Sequence, residues 1–102
     1  MPDEEPEWTV LRRHAIGERI RTVRRHRRLT QSQLAEMLGV ERRSIHRWET
    51  AKRDPALSVL VRLADKLDVP LALLVDDTLE IDLTAAHRDQ RPERPSWPKG
   101  KR

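Results

Sequence analysis

Apolar residues recur at helical spacing in five separate stretches of this chain. Ile16, Ile20 and Val23 stand at i, i+4 and i+7 with arginines on the intervening positions. That period predicts a first helix beginning between Thr9 and Ala15 and running to about Arg28. Trp8 and Leu11 extend the same stripe toward the N-terminus. Leu34, Ala35 and Leu38 mark the inner face of a second helix. Its start is signalled by Thr30, a good N-cap, with Gln33 three positions on as in a capping box. Gly39 ends it, because a chain leaving a helix through a left-handed residue does so at least cost on glycine. Val40 then turns back into the core. A third helix spans about Arg42 to Thr50, with only Ile45 and Trp48 facing inward. Leu57, Leu60, Val61, Ala64 and Leu67 give a fourth. Pro70 suits the first turn of a short fifth helix to about Val75, with Leu71 and Leu74 inward.

Beyond that point the periodicity changes. Thr78 to Leu83 alternates polar and apolar residues, the pattern of a short strand over 78–83. From Thr84 the chain is polar and basic and carries Pro92, Pro95 and Pro98, a composition expected to be disordered. The chain therefore divides into an acidic disordered tail over 1–8, a folded domain over 9–76 and a C-terminal extension over 77–102. The fold class expected is all-α, a compact five-helix bundle with disordered termini.

Composition narrows the chemistry. The 102 residues include no Phe, no Tyr and no Cys, so the core is small and aliphatic, and dimerisation would help stabilise it. Disulfides and thiolate metal sites are excluded. The four histidines, His14, His26, His46 and His87, form no metal-ligand pair of the kind seen in HExxH. With three glycines there is no phosphate-binding glycine loop and no nucleophile elbow. Neither a metal nor a cofactor is expected, nor is catalysis. No apolar run approaches the roughly 18 residues of a membrane span, and no signal peptide is apparent, so a cytoplasmic location is the expectation.

Charge is unevenly spread. Asp3, Glu4, Glu5 and Glu7 make the first seven residues acidic, whereas residues 17–53 hold eleven Lys/Arg against four acids, a local net charge of +7. A block of that density is the electrostatic footprint of a polyanion binder, although charge alone equally describes a solvated face. The layout decides between them. Thr30 to Glu49 reads as two short helices joined by a tight turn, and the second carries Arg42, Arg43 and Arg47. This is the arrangement that sets a helix in the major groove of DNA. Arg42, Arg43, His46 and Arg47 are the long polar side chains pointing away from Ile45 and Trp48. Arginine offers a planar fork of donors matching O6 and N7 of guanine. Gln31 and Gln33 open the second helix, where unpaired N–H groups suit a phosphate. Lys52 and Arg53 in the following loop add further phosphate clamps. Arg19, Arg21, Arg25, Arg27 and Arg28 crowd the first helix and read mostly as a solvated face, with Arg27 and Arg28 the nearest to DNA.

The segments LTQSQLAEMLGV at 29–40, RRSIHRWE at 42–49, KRDP at 52–55 and LVRLADKLDVP at 60–70 resemble the phage-repressor family of helix-turn-helix proteins. This is the lambda-repressor and Cro type, also called the xenobiotic-response-element family. The resemblance covers about Ile16 to Val75 and implies the five-helix, lambda-repressor-like bundle. It implies base contacts from Arg42, Arg43 and Arg47, a backbone contact from Gln31 that steadies the first reader, and a place for Ser44 near the same strand. It also implies a pair between Arg24 and Glu49 that orients the third helix. Glu41, where the family usually has Ser, Thr or Asp, and Ala51, where it commonly has Gly, depart from the pattern.

The function implied is a sequence-specific DNA-binding transcriptional regulator, a repressor, acting as a homodimer on an inverted-repeat operator with G-containing half-sites. Candidate dimer surfaces are the end of the fourth helix, the fifth helix and the strand-like segment. The alternative is an antitoxin-type autoregulator that binds DNA and neutralises a protein toxin through residues 78–102. An RNA-binding role lacks the stacking aromatics that RNA modules use.

Overall fold

A computed structural model of the chain describes residues 5–83. Five helices succeed one another: α1 (Glu7–His26), α2 (Gln31–Leu38), α3 (Arg42–Glu49), α4 (Leu57–Leu67) and α5 (Leu71–Val75). No strand occurs among the described residues. The fold class is the all-α five-helix bundle expected from the pattern. Packing joins α1 to α3 and α5, α2 to α3 and α4, and α4 to α5.

α1 starts earlier than its apolar period predicts. Pro6 is the N-cap, and its carbonyl accepts from both the hydroxyl of Thr9 (2.7 Å) and the Thr9 N–H (3.0 Å). Glu7 in the first turn complements the helix dipole. The start is therefore set by capping, not by burial: Trp8 and Leu11 lie on the first two turns but remain 65% and 62% exposed, so they do not extend the buried stripe. Ile20 and Val23 are fully buried, and Ile16 packs against the core from its edge.

The capping box of α2 forms as its sequence indicates. Gln33 N–H donates to Thr30 Oγ1 at 3.0 Å, and Thr30 N–H donates to Gln33 Oε1 at 2.8 Å. α3 lacks such a cap. Glu41 is its N-cap without a side-chain hydrogen bond and instead lies 3.7 Å from Arg43.

The first four helices all end in the same way. Each has a left-handed residue after its last turn, at Arg28, Gly39, Ala51 and Asp68. The next residue's N–H then reaches back to the helix: Leu29 to Arg24 O, Val40 to Ala35 O, Lys52 to Arg47 O and Val69 to Ala64 O, at 2.9–3.2 Å. These are Schellman closures. In three of them the residue after the turn, Leu29, Val40 or Val69, is an apolar plug packed into or against the core. After α3 that position is Lys52, which is exposed.

On α4 the buried stripe is Leu60, Leu63, Ala64 and Leu67, an i, i+3, i+4, i+7 set. The expected Leu57 and Val61 are instead 70% and 49% exposed. α2 and α5 pack on the Leu60–Leu67 side and leave the opposite flank of the first turns to solvent. In α5 the buried residues are Leu73 and Leu74, and Leu71 is half-buried. Pro70 serves as N-cap of that helix and not as a member of its first turn.

Residues 76–83 do not pair as a strand. Asp76 Oδ1 accepts from Thr78 Oγ1 (2.6 Å) and Thr78 N–H (3.0 Å), forming a turn. These two bonds, the hydroxyl's first, hold the Asp76 carboxyl below the usual carboxylate range. Ile81 and Leu83 then lie against the core. The expected tails lie largely outside the described residues, at 1–4 and 84–102.

Candidate nucleic-acid interface

α3 owes its place to close packing beneath it. Ile45 is fully buried and Trp48 nearly so. Underneath, α1 comes very near: a Cβ added to Gly17 would sit 2.7 Å from the carbonyl oxygens of both Trp48 and Glu49. Only glycine permits that approach. Sequence reasoning missed this residue, although an isolated glycine inside a helical period is a known sign of close backbone contact.

With one face of α3 held down, the other is free. Arg42, Arg43, His46 and Arg47 are all exposed, and Ser44 is half-buried beside them. Lys52 and Arg53 are exposed at the C-terminal end of the same helix, where both their N–H groups bond to Arg47 O (2.9 and 3.3 Å). These two hydrogen bonds fix the backbone of the loop against the last turn of α3. Gln33 is exposed, with its Oε1 and its backbone N–H engaged in the capping box.

A relay of hydrogen bonds runs from the interior to this surface. The Arg24 guanidinium grips the Glu49 carboxylate through two bonds, Nε to Oε2 at 2.6 Å and Nη2 to Oε1 at 3.1 Å. Their side chains are 9% and 1% exposed. Burying a charge pair is costly unless its remaining capacity is satisfied, and further hydrogen bonds meet part of it here. Arg24 Nη1 donates to Leu29 O at 2.7 Å, and Glu49 Oε1 also accepts from Gln31 Nε2 at 3.0 Å. Gln31 Oε1 in turn accepts from Arg42 Nη1 at 3.2 Å. The amide of Gln31 is thereby oriented, nitrogen toward the carboxylate and oxygen toward the guanidinium. The pair expected between Arg24 and Glu49 is present, and Gln31 is joined to the first arginine of α3.

Beside the relay is a concavity of about 280 Å³ lined by Arg21, Arg25, His46 and Thr50 together with the relay residues. Arg24 and Glu49 neutralise one another there, which leaves its rim cationic. Arg21 lies 3.8 Å from Glu18, a loose exposed pair, and Arg25 is exposed.

Two of the five arginines, Arg19 and Arg27, depart from the solvated-face reading. Arg27 donates to Leu67 O (2.7 Å) and Asp68 O (3.0 Å), closing the C-terminus of α4. It does not point toward the α3 surface. Arg19 donates to Leu73 O and Leu79 O, each at 2.7 Å, and so ties α5 and the segment after it to α1. Arg28 remains exposed. Arg62 similarly donates to Leu38 O at the end of α2. Among the described residues no cluster of His, Asp or Glu is arranged to hold a metal ion, and no helix is long and apolar enough to cross a membrane.

Comparison with known proteins agrees with this geometry. A family model described as "Helix-turn-helix" matches residues 20–74. The immunity repressor protein of Bacillus phage phi105 is 30% identical over 79 residues, which is 78% of this chain and 55% of the repressor. A protein of Pyrococcus furiosus named as an HTH-type transcriptional regulatory protein is 38% identical over 60 residues, and one of the same description from Methanocaldococcus jannaschii is 33% identical over 60. Each of these two alignments covers 59% of this chain and 19% of the relative. The chain thus spans about half or less of the length of these curated relatives. No solved structure matches it significantly.

Proposed function

The chain belongs to the helix-turn-helix family, of the phage-repressor type its motifs resemble, and from that premise we propose that it is a sequence-specific DNA-binding repressor that inserts α3 into the major groove. The observation that carries this reading is the exposed row Arg42, Arg43 and Arg47 on a helix whose other face is locked down. Arg42 reaches the groove already oriented by Gln31. A pre-oriented guanidinium loses less conformational freedom on pairing with guanine than a free one. Arg43, His46 and Arg47 complete the base-facing set. Gln31, Gln33, Ser44, Lys52 and Arg53 meet the phosphates on either side, and the cationic notch of Arg21 and Arg25 takes one more.

One bundle of this size reads only a few base pairs, so the chain acts as a homodimer on an inverted repeat with half-sites about one helical turn apart. The phage immunity repressor among its relatives supports repression as the sign of regulation. Selection of bound sequences from a random duplex library tests the reading. An enriched inverted repeat with guanine in each half-site is the expected result. Recovery of no preferred sequence, or of a single-stranded or RNA ligand in competition, would overturn it.

A further inference from the structure

We propose that Glu41 is a specificity-determining residue whose carboxylate, together with the Arg43 guanidinium, reads a single G·C pair from one edge to the other. This rests on the reading that Arg43 meets guanine, and it supplies the group that meets the paired cytosine.

The fold gives Glu41 little to do. It is the N-cap of α3, yet its side chain makes no cap hydrogen bond. The helix dipole favours an acid at this end, but a short Ser, Thr or Asp cap would gain an N–H bond besides. Among the described residues its ionic partner is Arg43, with Oε1 3.7 Å from Nη2 and the two side chains 75% and 62% exposed. An exposed pair at that separation adds little to stability. Stability therefore does not account for a carboxylate at this position.

Its place beside the readers does. A recognition helix presents its N-terminal residues to the base edges, and Glu41, Arg42 and Arg43 occupy that end of α3. The other acid of the helix, Glu49, is at the far end, buried, and engaged by Arg24 and Gln31. Glu41 is thus the acid left in solvent on the turn and helix that carry the reading arginines. A phosphate strand repels it. A base edge that offers a donor does not.

In the major groove a G·C pair presents N7 and O6 of guanine as acceptors and the N4 amino group of cytosine as donor. The arginine fork donates to N7 and O6, and a carboxylate accepts from N4. O6 and N4 are hydrogen-bonded to one another, so they lie about 2.9 Å apart. The 3.7 Å between the Arg43 nitrogen and the Glu41 oxygen fits that spacing after a small adjustment of two exposed side chains. A·T places the thymine O4 acceptor where N4 stood, and C·G turns the guanine acceptors toward the carboxylate. In both cases acceptor faces acceptor, and a charged group is left without its partner. The two residues together therefore fix the base pair and the strand that carries guanine.

The test is binding of the full chain, as wild type, Glu41→Ala and Arg43→Ala, to the selected operator. The pair at which Arg43→Ala flattens preference is varied as G·C, C·G, A·T and guanine opposite 2-pyrimidinone, a cytosine without its 4-amino group. Circular dichroism is expected to show all three folded alike, since the Glu41 side chain caps nothing. Wild type should bind the 2-pyrimidinone duplex about tenfold more weakly than G·C. Glu41→Ala should bind those two duplexes equally and discriminate less against A·T and C·G at that pair. A Glu41→Ala chain that discriminates as the wild type does overturns the proposal and leaves Arg43 as a reader. So does one that gains affinity for every duplex alike, which would show the carboxylate only repelling phosphates. If Arg43→Ala flattens no pair, the guanine reading falls and the shared reading of G·C falls with it.

Discussion

Ala51 carries a backbone conformation that its side chain disfavours, with φ at 61°. The same conformation at the end of α2 falls to Gly39. Alanine there costs about 1 kcal/mol relative to glycine, and the Schellman bonds, Ala51 N–H to Trp48 O and Lys52 N–H to Arg47 O, are made regardless. Ala51→Gly should therefore raise the stability of the chain by about 1 kcal/mol in chemical denaturation, with affinity for the selected operator unchanged. A loss of stability would show that the Ala51 methyl makes a contact outweighing its strain. The next residue, Lys52, stands where the three matching closures have an apolar plug. The local geometry common to all four helix ends is thus turned at α3 from core packing to the display of a cation.

α3 is only eight residues long, too short to persist without its neighbours. Its position comes from Ile45 and Trp48 below, from the Arg24–Glu49 pair at its end and from the absence of a side chain at Gly17. Helix propensity alone favours Gly17→Ala by up to about 1 kcal/mol. The new methyl would meet two backbone carbonyl oxygens at 2.7 Å, neither of which belongs to a flexible side chain. Overpacking of this kind costs about 1–3 kcal/mol, so the clash outweighs the propensity gain. Gly17→Ala is expected to lower the melting temperature and to weaken operator binding beyond the fraction unfolded, because relief of the clash moves the end of α3. A stabilised variant with full binding would show that α1 and α3 are less tightly opposed than their backbones indicate.

Two kinds of charge meet across the molecule. Arg19, Arg27 and Arg62 are spent on helix C-termini, where charge-assisted bonds to carbonyls hold the bundle together. Arg42, Arg43, Arg47, Lys52 and Arg53 face solvent and supply the field that a polyanion meets. Within that second group the proposed base readers and phosphate clamps are expected to contribute differently. Arg43→Ala should flatten preference among operator variants by about 1–3 kcal/mol at one base pair. Lys52→Ala should weaken binding to all duplexes alike and reduce the slope of log affinity against log salt by about 1. Titrations of both variants against matched and mismatched duplexes at several salt concentrations check this. Identical behaviour would erase the distinction between reader and clamp.

Helix number, the Thr30 capping box, the Gly39 turn and the inward pair Ile45 and Trp48 were all readable along the chain, because each depends on residues a few positions apart. The basic face of α3 was readable for the same reason: two buried positions on so short a helix imply which side is left outside. Long-range partners carried no such local mark. Arg19 finds Leu73 across 54 residues and Arg27 finds Leu67 across 40, and in sequence both resemble any solvated arginine. Leu57 and Val61 carry the right period yet stay in water, since burial depends on which helix lies alongside and not on the period itself. The alternation at 78–83 met no second strand among the described residues, and the segment is held by Arg19 and the turn at Asp76. Local patterning names the elements and their polarity; the carbonyl, carboxylate or apolar wall each side chain finally meets is settled only when distant segments are brought together.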